Sequence, residues 1–180
     1  MKDVPIAPEQ AQDPAEKNEP GLGMGRDPER TPMPWDGSLL AGFTSGEPWL
    51  PWGADHASVN IAALSESRGS ILNLYRRHIE LRRDNSVLTR GAIDAVGIQE
   101  DILKYERSQG DERLVIVLNL GHERARVSHL SGRILLSTYL DRAGEDVDAS
   151  LSLRGDEGII VQGKPASVKR DRRGHAPHYR

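Results

Sequence analysis

The sequence predicts a loop-rich segment, then one amphipathic helix, then a small antiparallel all-β domain, along a chain of 180 residues. Three observations predict it. Nine of the eleven prolines, all three tryptophans and the only phenylalanine fall within residues 1–52. Apolar side chains then recur at helical spacing from Ile71 to Leu81. After Gly91 the apolar period falls from 3.6 to about 2 and stays there, with turn residues between short runs.

Proline fixes one dihedral and removes a backbone donor, so residues 1–51 cannot hold long helices or central strands. Residues 1–20 carry five acids against two lysines and few large apolar side chains, the composition of an exposed loop. About fifty residues without a regular element are uncommon inside a compact domain. Trp35, Phe43, Trp49 and Trp52 are too apolar to leave in water, so this stretch is expected to pack on something else. The helix follows, with Ser67 as its expected N-cap and Ile71, Leu74, Tyr75, His78, Ile79 and Leu81 on one face. Arg76, Arg77, Glu80 and Arg83 occupy the other half, and the helix is expected to end near Asp84 and Asn85. His78, on the apolar face, reads as a packed core histidine.

Beyond Gly91 the expected strands are residues 93–98, 102–107, 114–120, 124–130, 134–140 and 158–162. Gln109-Gly110-Asp111, Gly121-His122, Ser131-Gly132 and Arg154-Gly155-Asp156 supply the turns. Several short strands at this spacing indicate an antiparallel sandwich or barrel. Leu114 to Leu118 is apolar on both faces and should be central. The tail from Lys164 holds six Lys/Arg against one Asp and reads as a basic, disordered terminus.

Composition excludes several functions. A net charge of −3 and a charged fraction of 28% give no pull toward nucleic acid. Without cysteine there is no disulfide, thiolate metal site or cysteine nucleophile. No apolar run approaches the roughly 20 residues of a membrane helix, and Met1 to Ala7 do not read as a secretory signal, so a cytoplasmic protein without membrane partners is expected. Asp55-His56 and the scattered histidines lack metal-ligand spacing, and no cofactor is expected. Gly21-Leu22-Gly23-Met24-Gly25 is a weak phosphate-loop signal, with no strand before it and no Gly-Lys-Ser/Thr after it.

One stretch is more particular. Gly25-Arg26-Asp27-Pro28-Glu29-Arg30-Thr31-Pro32-Met33-Pro34-Trp35-Asp36 runs on into Ala41-Gly42-Phe43-Thr44, Pro48-Trp49-Leu50-Pro51-Trp52 and Val59-Asn60-Ile61-Ala62-Ala63. It resembles the late part of the catalytic barrel of glycoside hydrolase family 13, in the branch of the oligo-1,6-glucosidases, α-glucosidases and trehalose synthases. Leu64 departs from the pattern, where glutamine is usual. The resemblance implies that residues 1–90 are the end of a (β/α)8 barrel, a loop-rich segment plus the last amphipathic helix. Residues 91–163 would then be its C-terminal β-sandwich domain, and 164–180 an appended tail. It implies further that Met1 is internal to a longer enzyme and that the aspartate nucleophile, glutamate acid/base and third aspartate lie upstream of this chain. The expected function is therefore the C-terminal portion of a retaining enzyme acting on short α-glucosides, inactive alone, with the rest of the barrel needed to bury its aromatics. The alternative is a stand-alone β module that binds carbohydrate or a partner protein.

Retaining glycoside hydrolysis needs two carboxyl groups about 5–5.5 Å apart across one sugar. Asp27 and Asp36 are the acids nearest the family-like segment, but they match no catalytic position of the family and read as turn caps or partners of Arg26 and Arg30. No catalytic residue is assigned. The resemblance makes Arg26 the first candidate for contact with the glucoside and Arg30 the second. A planar guanidinium can hold a carboxylate and still donate to hydroxyls. Trp35 is a third candidate as a stacking wall, although a core tryptophan fits it better.

Overall fold

The computed structural model describes residues 3–163, so the basic tail from Lys164 lies outside the described residues. Contacts divide the chain into two compact units, Met1–Arg76 and Arg77–Arg180.

The first unit is built from short pieces, as its prolines demand. Turns of 3-10 helix span Pro8–Gln10 and Asp27–Glu29, and helix α1 spans Pro14–Asn18. Asp13 caps α1, its Oδ1 accepting from the Ala15 amide at 2.9 Å, with Pro14 in the first turn where no amide is needed. Helix α2, Ile61–Glu66, begins at Asn60, whose side chain accepts from Ala63 at 2.9 Å. Helix α3, Ile71–Asp84, ends where the sequence placed its end but starts differently. The capping hydroxyl belongs to Ser70, which accepts from the Asn73 amide at 3.1 Å, while Ser67 closes α2. Two caps of the same residue type lie three positions apart, and the short α2 claims the first. No residue of α3 is buried. His78, expected in a core, is exposed together with Ile71, Tyr75 and Ile79, because nothing among the described residues covers that face.

The second unit begins within α3 and continues with helix α4, Ser86–Arg90, capped by Asn85 and burying Val87 and Leu88. Eight strands follow: β1 Ala92–Gln99, β2 Ile102–Gln109, β3 Glu112–Asn119, β4 Ala125–Ser128, β5 Gly132–Ser137, β6 Asp146–Val147, β7 Ser150–Leu153 and β8 Gly158–Gly163. All pair antiparallel, six of them in the order β1-β2-β3-β8-β5-β6, with β4 and β7 forming a second sheet. Val115 and Val117 of β3, Ile159 and Val161 of β8 and Ile134 of β5 meet Val127 of β4 and Leu153 of β7 in one core. That is a two-layered sandwich. β3 is central, as its unbroken apolar run requires, and helix α4 packs on β2 and β3. Strand β1 is exposed along its whole length, because it is a sheet edge with a bulge between Asp94 and Gly97.

Behind the sandwich core, the fully buried Glu157 gathers a polar network. It accepts from the Ser137 hydroxyl at 3.0 Å, from the Arg154 amide at 2.8 Å, from Arg154 Nη2 at 2.7 Å and Nε at 3.2 Å, and from Arg142 Nη1 at 3.4 Å. Arg154 also grips Asp141 at 2.6 and 2.8 Å, and Arg142 grips Glu145 at 2.7 and 2.8 Å.

Candidate functional site

In the segment that carries the family-like motif, carboxylates bind backbone amides from distant positions. Glu16 accepts from the Gly21 amide at 2.8 Å and from Gly25 at 3.3 Å. The glycine-rich loop is therefore wrapped around an internal carboxylate, with no room for a phosphate reading of those amides. A Cβ on Gly25 would lie 2.8 Å from Glu16 Cβ, so glycine is required where the loop closes. Asp27, buried at 3% exposure, accepts from the Gln12 amide at 2.5 Å and from Asp13 at 2.8 Å, both on Oδ2. Its Oδ1 is buried without a partner among the described residues. Asp36 accepts from the Ser38 hydroxyl at 2.5 Å and amide at 2.9 Å, and these hold its carboxyl below the ordinary aspartate range. Asp36 caps a turn, as expected, whereas Asp27 holds amides fourteen and fifteen positions upstream. The arginine pairing expected of them goes elsewhere.

Arg26 and Arg30 converge on Asp13. Arg30 Nη1 donates to Asp13 Oδ2 at 3.3 Å, and Arg26 reaches the same oxygen through its amide at 3.3 Å and its Nε at 3.5 Å. Asp13 is buried, and the Ala15 amide, followed by the Arg26 amide and charge, holds its carboxyl below the usual range against the opposing effect of burial. The 3-10 turn Asp27–Glu29 sets this geometry by placing the two arginines four positions apart on its flanks. The remaining nitrogens of both guanidinium groups carry no partner among the described residues, and both side chains reach solvent. Sequence reasoning missed Asp13. The available signal was an aspartate before a proline at the start of a helix, which marks a cap but not a pair of arginine partners.

Trp35 is not joined to that cluster. Its backbone is tied down, with its amide donating to Ala41 at 2.8 Å and its carbonyl accepting from Ala62 at 3.0 Å. Trp35 is 50% exposed, so the described residues cover only half of it. Phe43 and Trp49 are exposed in the same way. Among the described residues no group of three or more His, Asp or Glu is placed to hold a metal ion, and no helix is long and apolar enough to cross a membrane.

On the sandwich, an open cleft is lined by Asp111, Glu112, Arg133, Asp146 and Asp148 among others, with no aromatic side chain. Tyr139 stacks under the Arg154 guanidinium at 4.0 Å and donates its hydroxyl to the Gly155 carbonyl at 2.9 Å. That ring face is occupied.

Comparison with known proteins gives a consistent picture. The family described as alpha amylase, catalytic domain, matches residues 1–91. An oligo-1,6-glucosidase from Parageobacillus thermoglucosidasius is 34% identical over 149 residues, covering 81% of this chain and 26% of that enzyme. The structure of an alpha-glucosyl transfer enzyme superposes with a TM-score of 0.74 at 27% identity, over 91% of this chain and 31% of the other. An isomaltulose synthase from Klebsiella sp. LX3 superposes with a TM-score of 0.68 at 27% identity, over 77% and 26%. The chain thus spans about a fifth to a quarter of the length of the curated relatives it matches.

Proposed function

The chain belongs to the alpha-amylase catalytic-domain family, and from that membership we propose that it is the C-terminal portion of an α-glucosidase-like enzyme acting on short α-glucosides. In this reading residues 1–90 complete the barrel with its last helix, and 91–163 form the β domain behind it. Arg26 and Arg30 bind the glucoside and Trp35 forms a wall of its pocket. The nucleophile and the acid/base come from barrel segments outside this chain. One observation carries the reading: the two acids of the motif segment are spent on holding the segment's own backbone and a serine. Asp27 holds the Gln12 and Asp13 amides and Asp36 holds Ser38, so neither is free to attack a sugar or protonate a leaving group. The exposed faces of Trp35, Phe43, Trp49 and α3 are the surfaces that the rest of the barrel would cover. The β domain as a free sugar binder is disfavoured, since its cleft has no aromatic platform and Tyr139 is already stacked.

The test is hydrolysis of isomaltose, a disaccharide with an α-1,6 bond. The chain is assayed alone and fused behind the barrel portion of the oligo-1,6-glucosidase in place of that enzyme's matching segment. No turnover alone and turnover in the fusion are expected. Hydrolysis by the chain alone, or a soluble fusion without turnover, would refute the reading.

A further inference from the structure

Asp13 does more than begin a helix. The cap uses only Oδ1, on the Ala15 amide, a task that serine or asparagine performs as well. Oδ2 is the oxygen on which Arg26 and Arg30 meet, each through a single side-chain nitrogen. Asp13 Oδ2 takes both guanidinium groups, and a carboxylate buried to 3% exposure keeps its charge through such pairs and hydrogen bonds. A guanidinium is a rigid planar fork of five donors, so pinning one nitrogen limits the direction of the rest. The side chains remain 68% and 44% exposed, so their other donors are accessible.

We propose that Asp13 is a positioning residue that pre-orients Arg26 and Arg30 for the glucoside. This rests on the reading of those arginines as sugar-binding side chains. An arginine already anchored has less rotamer freedom to lose when a hydroxyl binds. One carboxylate, supplied by the segment that starts α1, thereby sets the aim of two side chains on the turn that follows the glycine-rich loop.

The test uses Asp13→Asn, which keeps the cap oxygen but removes the anion, with Asp13→Ser as a second variant that also preserves the cap. In the full chain, nitrogen relaxation should show Arg26 and Arg30 Nε–H groups more ordered than that of Arg68. Either substitution should bring them to the Arg68 level, with order parameters below about 0.6. Equal disorder in the unsubstituted chain would overturn the proposal. In the fusion, Asp13→Asn should raise the KM for isomaltose about tenfold while kcat changes less than about twofold, and should add nothing where Arg26 and Arg30 are both replaced by alanine. Losses that simply multiply would mark Asp13 as a structural staple and overturn the positioning role. Should Arg26→Ala and Arg30→Ala both leave the kinetics unchanged while the ordering by Asp13 persists, it is the sugar-binding reading that fails.

Discussion

Replacing Glu157 by glutamine tests whether the sandwich depends on its buried charge. The carboxylate is fully buried and accepts five hydrogen bonds, four of them from Arg154 and Arg142. Glutamine preserves the shape but turns one acceptor into a donor that faces a guanidinium. Removing one partner of a buried ion pair costs about 3–5 kcal/mol. Here Arg154 keeps Asp141 and Arg142 keeps Glu145, so the expected loss lies at the lower end, about 3 kcal/mol near neutral pH. Burial alone would push the Glu157 carboxyl up, but Arg154, its amide and the Ser137 hydroxyl outweigh that and hold it below the ordinary glutamate value of 4.5. A carboxyl lowered in the folded state contributes stability above its unfolded value and loses it as the pH falls through the folded one. The gap between the two proteins should therefore be full at pH values above about 5 and close as the pH falls through the lowered folded value. Amide hydrogen exchange at Val117 and Ile159 reads the opening of β3 and β8 directly, and urea unfolding followed by circular dichroism gives the matching free energy. A loss under about 1 kcal/mol, or one that does not change between pH 7 and pH 3, would refute the reasoning.

Leu153 is fully buried on β7 where the two sheets meet, so Leu153→Ala should cost about 2–5 kcal/mol in urea unfolding, and a smaller cost would mean that the core collapses into the space. His122 lies 3.0 Å from Asp156, whose hydrogen bond and charge raise the imidazole above its ordinary 6.5. That contribution is full below pH 6.5 and lost as pH rises through the folded value. An NMR titration should show the His122 midpoint above 6.5 and returning toward it in Asp156→Asn.

The β domain was legible because its signals are local. Leu114 to Leu118 announces a strand buried on both faces, and Gly110, at a φ of +59°, marks the β2–β3 hairpin. Strands β6 and β7 were not legible. Asp146 and Val147 are too short to show a period, and Ser150-Leu151-Ser152-Leu153 alternates correctly but carries serines of low strand propensity. The site was legible in part. The motif located Arg26 and Arg30, but their shared partner sits thirteen positions before Arg26, and no spacing rule links them. Asp27, adjacent to Arg26, was the obvious partner by proximity. It was already committed to the amides of Gln12 and Asp13, and those bonds bring Asp13 within reach of the arginines.

The two units are held together by different means. The sandwich closes an apolar core across its two sheets, and its large exposed apolar side chains are mainly those of the edge strand β1. The unit before it buries little more than Ala11, Ala41 and Leu50 among its apolar residues, yet leaves Trp35, Phe43 and Trp49 open to water. It is fastened by carboxylates instead: Asp13 on Ala15 and the arginines, Glu16 on two glycines, Asp27 on two amides and Asp36 on Ser38. Such bonds fix the path of a loop accurately but contribute little net stability each, about 0.5–1.5 kcal/mol, or up to about 3 kcal/mol when charged. A segment with a precise backbone and an uncovered apolar surface is what the proposed role as one wall of a larger barrel calls for, and under that proposal its chemistry is sought in the arginines it presents and not in the acids it uses to hold itself in place.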